Sequence, residues 1–158
     1  MAFVLKIKPH HFLDYLYDLA INNRHTEDNP WGNRNGELCR DFIDGKIDKI
    51  VFTPDVDDIC KPCKKLKNQR DCTDFFDDET AKHYGFKYKK DFNYQLDLKL
   101  NAALPNVFKF DQEQDILDVL KQLKLYLTNS IINYYLWKRP EREKNTFIGI
   151  DKAIEIYK

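Results

Sequence analysis

Glycine is scarce in this chain, five in 158 residues, and no phosphate-cradling pattern uses any of them. Neither G-x-x-x-x-G-K-[ST] nor G-x-G-x-x-G occurs, so a nucleotide-binding loop of either kind is excluded. No Ser-His-Asp order marks a hydrolase. Net charge is missing as well, because 26 Lys and Arg stand against 26 Asp and Glu. Proteins that live on phosphate contacts carry a basic excess, which makes nucleic acid a minor expectation. Long apolar runs are absent too. Ala2 to Leu5 is the only unbroken one before Lys6, too short for a signal-peptide core, and no later stretch approaches a membrane span. The expected setting is therefore cytoplasmic and reducing. There, clustered cysteines read as metal or redox chemistry before disulfides.

The length fits one domain over residues 1–158, large enough to bury roughly 70% of its unfolded surface. A metal is not required merely because the chain is small. Phe3 to Ile7 alternates as a short strand, and Pro9 opens a helix with Phe12, Tyr15, Leu16, Leu19 and Ala20 on one face. Asn22 to Gly36 is polar and turn-rich, and Leu38, Phe42 and Ile43 suggest a short helix ending at Gly45. Lys49 to Thr53 reads as a second strand. Helices are expected within Asp77–Phe86 and Lys90–Leu104. A long one is expected over Gln112–Trp137, about 39 Å at 1.5 Å per residue. After Pro140 a final helix carries Phe147, Ile150, Ile154 and Tyr157. The expected fold is a mainly helical α+β domain with one or two short strands and a cysteine-rich metal loop. Residues 1–105 form its metal-binding part and residues 106–158 a C-terminal helical hairpin. No internal repeat or low-complexity segment interrupts it.

Three of the four cysteines, Cys60, Cys63 and Cys72, fall within thirteen residues as C-x2-C-x8-C. Structural zinc takes four ligands, commonly thiolates and imidazoles, so this cluster is one ligand short. Cys39, His83 and the pair His10-His11 are the candidates for the fourth. Cys39 sits among apolar neighbours and reads as core. The histidines fall in the first turn of the helix opened by Pro9, where the positive helix end would stabilise an anionic three-thiolate centre. On a helical wheel His10 shares a face with Asp14, which makes Asp14 the expected carboxylate orienting its ring.

"IKPHHFLD" and "DDICKPCKKLKNQRDC" together resemble the bacterial and archaeal domain-of-unknown-function family 1284, over roughly Lys6 to Asp74. That family carries an Arg-Pro-His-His-Leu-Leu-Cys-like opening and a later Asp-Asp-Ile-Cys-x-x-Cys with one more Cys. The resemblance implies metal-binding roles for His10, His11, Cys60, Cys63 and Cys72, and some members are described as iron–sulfur binding. Two positions depart from the pattern. Lys8 stands for Arg, and Asp14 stands where a Cys often follows the histidines, which removes a favoured cluster ligand and tilts this chain towards zinc.

The expectation is a metal-binding protein with three Cys and one His around structural Zn2+, and an iron–sulfur redox or sensing protein is the alternative. Three other chemistries compete less well. A thioredoxin-like C-x-P-C helix lacks an apolar face after Cys63. A zinc enzyme would keep one position open beside Asp57, Asp58 or Asp14, but no deaminase signature appears. A nucleic-acid knuckle would use Lys64, Lys65, Lys67 and Arg70, with Lys61 nearby, yet acidic residues flank that run on both sides.

Overall fold

The apolar alternation of Val4–Ile7 and Lys49–Phe52 makes these segments strands β1 and β2, which pair in parallel with Leu5, Ile7, Ile50 and Phe52 buried. The computed structural model describes residues 1–25, 29–67, 71–135 and 141–158. Between the two strands run α1 (Pro9–Ala20) and α2 (Asn35–Ile43). A two-stranded antiparallel hairpin follows, β3 (Leu66–Lys67) with β4 (Asp71–Cys72). Then come α3 (Asp78–Tyr84) and α4 (Lys89–Ala103), and β5 (Glu113–Asp115) completes the first sheet antiparallel to β2. Helices α5 (Ile116–Tyr126), α6 (Asn129–Ile132) and α7 (Glu141–Tyr157) close the chain, with a 3-10 turn at Asn133–Tyr135. The fold is the expected mainly helical α+β arrangement. No helix among the described residues is long and apolar enough to cross a membrane.

The single helix expected over Gln112–Trp137 does not form. Asp115 caps the start of α5 by accepting from the Asp118 amide, and the residues just before it are drawn into the sheet edge as β5. Leu127 is extended, and Thr128 then caps α6 by accepting from the Ile131 amide. Side-chain caps of this kind favour a new helix start over continuation. The apolar spacing persists across the break because both pieces face the same core. Trp137 and Pro140 lie outside the described residues.

The core gathers α1, the sheet, α5 and α7, with Phe12 set edge-on to both Phe42 and Phe52. Helix α7 packs along α1 and against α5. Its buried stripe is Arg142, Thr146, Gly149, Ile150 and Ala153, while Phe147, Ile154 and Tyr157 are only partly buried. Close approach explains the shift. A Cβ on Gly149 would run into the Leu16 backbone, so α1 and α7 meet backbone to backbone there. By contrast, from Cys60 to Gln95 no described residue is buried. That segment holds only a half-buried aromatic group in which Phe92 stacks on Tyr84 at 4.2 Å and meets Phe76 edge-on at 5.4 Å.

Candidate metal centre

The N-terminus of α1 lacks a side-chain cap of its own, since Lys8 stands at the N-cap and Pro9 follows. Two carboxylates from distant parts of the chain fill that need. Asp57 accepts from the Lys8 amide at 2.8 Å, and Asp97 on α4 accepts from the His10 amide at 2.9 Å. The same two carboxylates hold the histidine rings. His10 Nδ1 lies 2.9 Å from both Asp97 oxygens, and His11 Nδ1 lies 2.7 Å from Asp57 Oδ2. Both acids are almost fully buried, Asp97 at 0% and Asp57 at 1% exposure. The rings stand side by side with centroids 4.3 Å apart. A carboxylate on Nδ1 fixes a ring's orientation and leaves Nε2 as the ligand atom, the arrangement metal-binding histidines commonly show.

Asp57 also builds the cysteine loop. Its second oxygen accepts from the Cys60 amide at 3.0 Å, and its carbonyl accepts from the Lys61 amide. The Cys63 amide then closes onto the Cys60 carbonyl at 2.8 Å. Neighbouring Asp58 zips the loop to the free edge of β1, accepting from the Lys6 amide and donating its own amide to the Lys6 carbonyl. The Asp-Asp doublet thus anchors the loop to β1 and to the histidine helix. Hairpin β3–β4 brings Cys72 back, opposite Leu66.

A cleft of about 740 Å³ is lined by His10, His11, Cys60, Cys63 and Cys72, all five residues singled out in the sequence. His11, Asp57 and Cys60 bring ligand atoms within 4.8 Å of one another. Among the described residues Cys63 and Cys72 do not join that closest group. Burial, reinforced by Asp57, pushes the Cys60 thiol up. Burial also pushes the Asp57 carboxyl up, but His11 and Lys8 more than offset it and hold the acid well below the usual carboxylate range. At His11 burial opposes the charged ring, Asp57 outweighs it, and the net shift is upward.

Asp14 does not orient His10. It lines the cleft but pairs with Arg142 of α7, and Asp97 takes the place expected for it. The wheel grouped His10 with Asp14, whereas α4 covers His10 and buries it to 7% exposure. Cys39 is fully buried in the core, and His83 is exposed on α3, edge-on to Tyr84. Of the lysines expected to favour nucleic acid, Lys65 lies over the Trp31 ring and shares Asp74 with Lys89. Lys64 and Lys67 are exposed, and Arg70 lies outside the described residues. Asp97 was missed in the sequence, although it carried a clue. It sits in the same helical stripe as Leu100 and Leu104, three and seven residues on, where an acid needs a buried partner.

Compared with protein-family models, curated proteins and solved structures, the chain matches none. The resemblance to family 1284 therefore rests on the quoted residues alone.

Proposed function

We propose that this is a metal-binding protein whose centre draws on Cys60, Cys63, Cys72 and the His10–His11 pair, with zinc in a structural role joining α1 to the cysteine loop. The observation that carries the reading is the pair of imidazoles, each with Nδ1 on a buried carboxylate, beside three cysteines in one cleft. The donor set fits zinc, which takes thiolate and imidazole ligands. When bound, the ion would supply a cross-link between segments some fifty residues apart. That no described residue from Cys60 to Gln95 is buried supports that role, because apolar packing there is too thin to fix the loop.

A second reading, an iron–sulfur cluster with a redox or sensing role, draws support from the sulfur spacing. Around one tetrahedral zinc ion, thiolate sulfurs stand roughly 3.8 Å apart. Cys60, Cys63 and Cys72 do not all come within 4.8 Å of one another, and a cluster holds its cysteines further apart than one ion does. Metal and sulfide analysis of anaerobically purified protein, with its visible spectrum, separates the two. Colourless protein containing zinc and no acid-labile sulfide, with the zinc lost in Cys63→Ser, is the expected result. Brown protein with stoichiometric iron and sulfide would transfer the proposal to the cluster.

A further inference from the structure

At the C-terminal end of α1 a second group of metal-type donors converges. Asp18 comes from α1, His25 from the loop that follows and Cys39 from α2. His25 Nε2 lies 2.9 Å from Asp18 Oδ2, the Cys39 sulfur lies 3.9 Å from the same oxygen, and the three ligand atoms fall within 4.8 Å of one another. Bonds of about 2.0–2.1 Å to nitrogen and oxygen and about 2.3 Å to sulfur give tetrahedral edges of about 3.3 Å for O–N and about 3.6 Å for O–S. The O–N and O–S separations reach those edges with shifts of a few tenths of an ångström.

The chain goes to some length to place this histidine. His25 adopts the left-handed backbone at φ 48°, uncommon for a residue with a side chain. Its amide donates to the Asn23 side-chain oxygen at 3.3 Å, and its carbonyl accepts from the Arg40 guanidinium. Gly36 leaves the space it occupies, since a Cβ there would come within 3.2 Å of the His25 Cβ. Asn23 Nδ2 lies 3.3 Å from His25 Nε2 and 3.2 Å from Asp18 Oδ1.

We propose that Asp18, His25 and Cys39 form a second binding site, for a borderline transition-metal ion such as zinc or cobalt, with the fourth position left to solvent. The residue types suit it, because one oxygen, one nitrogen and one sulfur donor disfavour both a hard ion such as magnesium and a purely thiophilic one. Three protein ligands with one open position mark an exchangeable or reactive ion rather than a closed structural one. The site shares no residue with the cleft and stands independently of it.

Anaerobic titration of reduced, metal-free protein with Co2+ tests the proposal, read by the near-ultraviolet thiolate-to-cobalt band and by bound metal per chain. Wild type should take up two equivalents, one with the absorbance of several thiolates and one with that of a single thiolate. Asp18→Asn keeps the side-chain shape and an acceptor for His25. It should weaken the single-thiolate equivalent at least tenfold, and His25→Ala should abolish it, with the other equivalent unchanged. Cys63→Ser should do the reverse. A single equivalent in wild type that Asp18→Asn removes would support this site and contradict the cleft. Wild type that binds only one equivalent, unaffected by Asp18→Asn and His25→Ala, would overturn it.

Discussion

The two halves of this molecule are held by different means. In the half formed by α1, the first sheet, α5 and α7, aromatic and aliphatic side chains are fully buried and helices touch at Gly149. In the stretch from Cys60 to Gln95 no described residue is buried, and polar anchors replace packing. The Asp57 and Asp58 carboxylates, the β3–β4 hairpin and the Asp74 contacts with Lys65 and Lys89 hold that stretch in place. A 158-residue chain can spend its apolar residues unevenly. The difference teaches that the cysteine segment belongs to the domain through its carboxylate and lysine contacts more than through its hydrophobicity.

The largest effect should come from the packed half. Phe12→Ala removes a fully buried ring set against Phe42 and Phe52, and the expected loss is about 3–5 kcal/mol of global stability. Denaturant midpoints should fall whether or not metal is present. Gly149→Ala should follow at about 1–3 kcal/mol, because its Cβ meets Leu16 backbone and the helices must part. A Gly149→Ala protein as stable as wild type would mean that the α1–α7 contact is looser than described.

In the cysteine half, chelation should expose Cys63 and Cys72 to thiol reagents at neutral pH, while Cys39, and Cys60 whose thiol burial likewise pushes up, react slowly. Burial holds the Cys39 thiol up at about 12, so its reactive thiolate is scarce. Thiol counting over time checks this. Smaller again should be the carboxylate variants. Asp97→Asn and Asp57→Asn should each weaken metal binding by about 10–100-fold, as loss of a ring-orienting partner does elsewhere. Asp14→Asn should leave metal affinity unchanged, since Asp14 pairs with Arg142 instead.

What the sequence disclosed follows the same division. Local rules found β1, α1 behind Pro9, β2, α3 within Asp77–Phe86, and α4, because periodicity and turn signals act over a few residues. They failed at β5, whose polar Glu113-Gln114-Asp115 becomes strand only by pairing with β2, more than sixty residues earlier. The five candidate ligands were legible from residue type and spacing, and one cleft collects them. Their orienting carboxylates were misread. Asp14 is a turn away from His10 in sequence, but Asp97, 87 residues distant, reaches the ring because α4 lies across α1. The Asp18–His25–Cys39 group was invisible for the same reason, being assembled from three separate elements.

The claim that a metal rather than packing holds the cysteine half is tested most directly by hydrogen exchange followed by mass spectrometry, with and without a chelator. Removal of metal should speed exchange by at least tenfold in peptides covering residues 57–67 and 71–76. Peptides from α5 and α7 should keep their protection. Unchanged exchange throughout, or protection lost equally in both halves, would contradict the account.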